Sequence, residues 1–200
     1  MTAGALHRLI REARAEPAGL AEPPERCELC GEQVPEDHRH LLDTEAQTVL
    51  CVCRPCTLLF GRETEAEEGR YRLVPGRRVR LEPVPTDRLG VPVGLAFFVP
   101  QPDGSVLAHY PSPAGAARWE VDPQAWRTAC ELRPELRTMR AGVEALLVNT
   151  VRGQSQHWIV PLADCLRMVA VVRQQWRGLS GGSRIWPALE QFFGELTEQR

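Results

Sequence analysis

Two Cys-x2-Cys pairs constrain this chain more than any other feature in it. Cys27 and Cys30 form the first and Cys53 and Cys56 the second, with 22 residues between them. Each short chelate turns two sulfurs toward one point, so pairs at this spacing can bring four thiolates onto one tetrahedral ion. Buried, unligated cysteines would leave the repeated spacing unexplained. Gly31 directly follows the first pair, where a tight knuckle needs a residue at positive φ. Pro55 favours entry into a helix whose first turn carries Cys56, and Leu58, Leu59 and Phe60 are expected to pack behind it on a hairpin made by HLLD and QTVLCV.

Cys51 complicates the ligand set. It lies two positions before Cys53 and would face the same side of an extended strand, so it could replace Cys53 as ligand. The two-residue chelate favours Cys53. His38 and His40 could also compete for the ion, but beside four better-spaced thiolates they read as polar loop residues.

The order knuckle, hairpin, helix resembles a treble-clef zinc finger over about 35 residues, a likeness of fold and not of activity. Rubredoxins also hold one metal through two such knuckles, and their iron carries electrons. The first knuckle here, CELCG, keeps the glycine of that pattern, whereas the second, CRPCT, lacks it. Zn2+ is therefore the expected ion, with Fe as the alternative. A closed four-thiolate zinc site has no open coordination position and supplies folding energy rather than catalysis.

Composition bounds the setting. Hydrophobic residues make up 43% of the 200, enough for a proper core, and no apolar run is long enough for a transmembrane helix. The opening MTAGALHRLIREARAEPAG is too charged for a signal peptide, so a cytoplasmic location without membrane insertion is expected, and there clustered cysteines are metal ligands rather than disulfides. The net charge of −2 disfavours nucleic acid as a partner. Every one of the 24 basic residues is Arg, a bias that reads as the codon pressure of a high-GC bacterial genome.

The pattern divides the chain into an N-terminal arm (1–25), a four-cysteine unit with a basic hairpin (26–88) and an α+β domain (89–200). Leu6, Leu9, Ile10 and Ala13 give the arm a helical stripe. RYRLVPGRRVRLEP predicts a hairpin around Pro75 and Gly76, with Arg70, Arg72, Arg77, Arg78 and Arg80 on its outer face, and TDRLGVP reads as a hinge. In the third part, GLAFFVP and SVLAHYP flank a Gln101 to Gly104 turn, Ala116–Val121 adds a strand, and VEALLVNTV and SQHWIVP form a second hairpin. Three helices complete the expected antiparallel α+β fold: one capped by Asp122 and Pro123, one after Pro161 with Leu162, Cys165, Leu166, Val169, Val172 and Trp176 on one stripe, and one with Leu189, Phe192, Phe193 and Leu196 on one face.

The remaining chain contains no HExxH, P-loop, GxGxxG after a strand or GxSxG elbow. No catalytic residue is assigned. His109 and His157 read as half-buried sheet histidines, and Cys130 and Cys165 as core residues. GLSGGSR could cradle an anion but reads more simply as a connector. The arginine hairpin raises a nucleic-acid-binding regulator as a weaker alternative.

The ordered features RCELCGE, CRPCTLLF, GRYRLVP, PVGLAFFV, HYPSPAGA, VEALLVN, WIVPLADCLRMV and WRGLSGGSRIWPALEQFF resemble, from Arg26 onward, an uncharacterised family of high-GC bacterial proteins often encoded beside uptake NiFe-hydrogenase genes. The resemblance implies a non-catalytic accessory or assembly protein that docks on a hydrogenase subunit or maturation factor, with an iron electron carrier as the alternative. It supplies no catalytic residues.

Overall fold

The computed structural model describes residues 25–35, 37–46, 48–61, 69–90, 94–112, 115–176 and 183–198. The stripe of the N-terminal arm, the acidic run from Glu63 to Glu68 and most of GLSGGSR lie outside them.

After the first knuckle, strand β1 (Arg39–Asp43) and strand β2 (Thr48–Val52) form an antiparallel hairpin, and the chain then enters helix α1 (Arg54–Phe60). Strand β3 (Tyr71–Leu73) adds to the free side of β1, giving the order β2-β1-β3. Six buried residues form the core of this small unit, and Cys27, Cys53 and Cys56 are three of them beside Val34, Leu41 and Val52. So little apolar side chain cannot hold a unit of this size by hydrophobic burial alone.

The chain then crosses to a six-stranded antiparallel sheet. Strand β4 (Val79–Arg80) is one edge, and strands β5 (Leu95–Pro100), β6 (Val106–Ser112) and β7 (Gly115–Glu120) form a meander. Helix α2 (Pro123–Leu132) follows, then strands β8 (Glu144–Asn149) and β9 (Gln156–Pro161), helix α3 (Leu162–Gln175) and helix α4 (Ile185–Glu198). The sheet order is β4-β9-β8-β5-β6-β7.

Strand alternation assigns the two faces. Phe97, Leu147, Trp158 and Val160 point to α3 and α4, where Cys165, Met168, Phe192, Phe193 and Leu196 complete one core. Phe98, Leu146, Val148 and Ile159 point the other way, to Ala129 and Cys130 of α2 and to Leu81, Val84 and Leu89. Both faces of β5, β8 and β9 are thus covered, which is why these strands read as nearly unbroken apolar runs.

The mixed α+β class with antiparallel sheets agrees with the sequence expectation, as do both long hairpins and the Asp122 cap, whose carboxylate accepts from the Ala125 N–H at 2.8 Å. The Tyr71 to Leu81 hairpin is corrected. β3 pairs with β1 and β4 pairs with β9, so the two segments belong to different sheets. Partners distant in sequence decide this: Arg77 and Arg78, expected on an outer face, turn instead to the carboxylates of Glu144 and Asp164. Within the expected hinge, Thr86–Leu89 is packed as a 3-10 turn that buries Leu89 under the larger sheet. On α3 Met168 is buried and Leu166 is exposed, so the helix presents a slightly rotated face. Leu42, Val74 and Val143 form a small cluster where the two sheets meet.

Candidate metal centre

The first knuckle is built by its own backbone. The Cys27 N–H donates to the Glu32 carbonyl at 2.7 Å, the Gly31 N–H donates to the Cys27 carbonyl at 2.8 Å, and Gly31 sits at φ +78°. A side chain at position 31 would strain this turn. The second knuckle is a helix start. Cys53 is the extended N-cap of α1, its carbonyl accepts from the Thr57 N–H at 2.9 Å, and Pro55 lies in the first turn beside buried Cys56.

These two devices bring the sulfurs of Cys27, Cys30, Cys53 and Cys56 within 4.8 Å of one another. Cys30 Sγ and Cys53 Sγ are 3.6 Å apart. A tetrahedral ion with Zn–S bonds of about 2.3 Å has a sulfur–sulfur edge of about 3.8 Å, so the spacing fits a shared ion. It does not fit a disulfide, whose bond is about 2.05 Å, and the cysteines are free. Cys27, Cys53 and Cys56 are buried while Cys30 reaches the surface.

Burial opposes ionisation of Cys27, but the N–H groups of Cys53, Leu29 and Cys30 converge on its sulfur and bring the thiol down to about 6. Burial pushes the Cys56 thiol far up, and its neighbours Cys53, Cys30 and Cys27 push the same way. Thiols this close cannot all ionise without a cation among them. The cluster can therefore hold a metal ion, and the arrangement supplies all four ligands from the protein.

Cys51 is not brought to this cluster. Cys53 keeps an extended backbone as the N-cap of α1, and its sulfur joins the four-cysteine cluster whereas that of Cys51 does not. Cys51 instead stands opposite His40 in the β1–β2 register and forms a separate group with His40 and His38. Burial, aided by the carboxylates of Glu25 and Glu28, pushes its thiol up to about 11. The sequence signal for this group was His-x-His on one side of a hairpin whose return strand carries a cysteine. It is legible only once the register is known.

Leu58 and Leu59 do not pack on the hairpin as expected, and Phe60 instead sets its ring edge-on to Tyr71 of β3 at 5.7 Å. Leu58 is 65% and Leu59 67% exposed, because α1 buries only its Cys56 face. His157 is buried in β9, where its Nδ1 accepts from the Val84 N–H at 3.3 Å, and His109 stacks on Phe97 at 4.8 Å. Cys130 and Cys165 lie in the two cores of the larger unit. Between α3 and α4 an open groove of about 220 Å³ is lined by Arg167, Gln174, Gln191 and Glu195 among others. No helix among the described residues is long and apolar enough to cross a membrane.

Fold and site together define the class: an α+β protein in which a four-cysteine cluster of metal-binding geometry is mounted beside a helix-covered antiparallel sheet. Residues 26–200 match the model of a family of unknown function, DUF5947, and the chain belongs to that family. Neither a curated protein nor a solved structure matches it.

Proposed function

We propose that the protein is a non-catalytic, zinc-stabilised accessory protein of the cytoplasm, whose treble-clef-like small unit is kept rigid by Zn2+ on Cys27, Cys30, Cys53 and Cys56. The observation that carries this reading is the closed ligand set: four sulfurs from the chain itself within 4.8 Å leave no position for a substrate or water on the ion. Leu58, Leu59 and Phe60, exposed on the helix that carries Cys56, supply an apolar surface suited to a protein partner. The resemblance to hydrogenase-associated proteins makes a NiFe-hydrogenase subunit or maturation factor the partner of this proposal.

An iron electron carrier is the second reading, supported by the N–H groups directed at Cys27, since such donors tune a metal thiolate. A nucleic-acid function has weaker support, because Arg70, Arg77 and Arg78 are each engaged with a carboxylate. The test is elemental analysis of anaerobically purified protein, with an optical spectrum before and after dithionite. Colourless, tightly held zinc that is lost in Cys27→Ser supports the accessory protein, whereas iron with a bleachable visible band makes the chain an electron carrier.

A further inference from the structure

His38, His40 and Cys51 lie outside the four-cysteine cluster, and the structure builds them into a group of their own. In the antiparallel β1–β2 pair His40 is directly opposite Cys51, so the two side chains stand on the same face of the hairpin. His38 precedes β1 by one residue and lays its ring against that of His40, with centroids 4.7 Å apart and planes tilted by 46°. One ligand atom from each residue, a ring nitrogen of each histidine and the Cys51 sulfur, falls within 4.8 Å of the others.

The hydrogen bonding of His38 is that of a metal ligand. Its Nδ1 is 2.9 Å from the Pro35 carbonyl oxygen, which can only accept, so Nδ1 carries the proton and donates it. In the neutral ring Nε2 is then left with a bare lone pair. The His38 side chain is 7% exposed, and Nε2 is buried with no hydrogen-bond partner in the protein. A buried acceptor without a partner is rare and calls for an occupant. The Glu25 carboxylate lies 3.4 Å from the same Nδ1. An imidazole that donates one nitrogen to a backbone carbonyl, with a carboxylate nearby, while the other stays bare has the orientation and tautomer that metal-binding histidines receive from their surroundings.

The charge of the neighbourhood agrees. Glu28 Oε2 accepts from the Cys51 N–H at 2.6 Å, and the Glu28 N–H donates to the Cys51 carbonyl at 2.9 Å, so a second carboxylate is tied to the strand at this point. Two neutral imidazoles and one thiolate partly neutralise a dication, and Glu25 and Glu28 add negative potential around it.

We propose that His38, His40 and Cys51 form a second metal site, distinct from the four-cysteine cluster, that takes a divalent transition ion of borderline softness such as Zn2+ or Co2+. His38 binds through Nε2. Three protein ligands leave the fourth position of a tetrahedral ion to water or an exchangeable ligand, so this ion is held more weakly than one enclosed by four thiolates. The site is independent of whether the four-cysteine cluster carries zinc or iron.

The test uses the full chain with its four-cysteine metal in place, exposed to a mild chelator to clear weak sites and then titrated with Co2+. The wild type is expected to take up one equivalent, with a sulfur-to-cobalt charge-transfer band. His40→Ala is expected to weaken that equivalent at least about tenfold, and Cys51→Ser to abolish the charge-transfer band. Both variants should retain the metal of Cys27, Cys30, Cys53 and Cys56 by elemental analysis, which shows that the small unit is still folded. His38→Ala gives a second measure on a residue outside the strands. Uptake by Cys51→Ser and His40→Ala equal to that of the wild type, or no uptake by wild type whose four-cysteine metal is intact, would overturn the proposal.

Discussion

Arg77 closes on Glu144 with both arms of its guanidinium. Nε is 2.6 Å from Oε1 and Nη2 is 3.1 Å from Oε2, on a carboxylate with no solvent exposure at the first position of β8. The Arg140 N–H donates to the same carboxylate at 2.7 Å, and Arg77 Nη2 also reaches the Thr138 carbonyl at 2.8 Å. The next residue repeats the arrangement: Arg78 Nε and Nη2 lie 2.7 and 3.0 Å from the carboxylate of Asp164 in the first turn of α3. Two consecutive arginines thus pin the segment between β3 and β4, which leaves the small sheet, onto a strand and a helix of the large one.

Arg77→Met should destabilise the protein by about 3 kcal/mol or more, because it strands a fully buried carboxylate rather than merely removing an attraction. The double variant Arg77→Met with Glu144→Met should recover part of that loss. Urea unfolding of the three proteins measures both effects, and equal stability of the single and double variants would contradict the role assigned to the stranded charge.

Removing the metal proposed for the four-cysteine cluster should unfold the small unit. Structural zinc supplies about 10–16 kcal/mol in small domains, and without it the unit's own core keeps Val34, Leu41 and Val52 beside three cysteines, with Leu42 in the small cluster where the two sheets meet. Cys56→Ser, or a strong chelator, is expected to expose residues 26–60 to limited proteolysis while β5 to α4 stay protected. Simultaneous loss of both regions would show that the ion supports the whole fold.

Asp43 gives the small sheet an acid dependence. The Arg70 side chain, with the N–H groups of Ala46 and Glu45, holds its carboxyl below the ordinary value of 3.8. A carboxyl with a folded pKa below its unfolded one stabilises the native state fully above the unfolded value and loses that contribution as pH falls through the folded value. The melting temperature of Asp43→Asn should therefore lie below wild type at neutral pH, with the gap narrowing once pH drops below the ordinary carboxylate range. A gap unchanged across that window would detach the effect from ionisation.

Leu58→Glu and Leu59→Glu should change stability by no more than about 0.5 kcal/mol, as expected of surface positions away from packed features. Phe193→Ala, in the core between α3 and α4, should cost about 3–5 kcal/mol. Thermal melts of the three variants check the contrast, and a large loss at Leu58 or Leu59 would mean that the chain itself covers that face.

What could be read from the chain alone was local. The spacing of Cys27, Cys30, Cys53 and Cys56, the glycine after the first knuckle, the Asp122–Pro123 helix start and the face of Leu189, Phe192, Phe193 and Leu196 all act over a few bonds or a few helical turns, so short-range chemistry determines them. The tertiary structure decided what depends on distant partners. Arg77 meets Glu144 across 67 residues and Arg78 meets Asp164 across 86, and these encounters draw β3 and β4 into different sheets although turn residues lie between them. The same holds for Cys51: composition and spacing offered it to the four-cysteine cluster, but hairpin register placed it against His40. Side-chain period and chelate spacing are written in the sequence, whereas a buried charge or thiol finds its partner only when packing has excluded water and fixed which groups face one another.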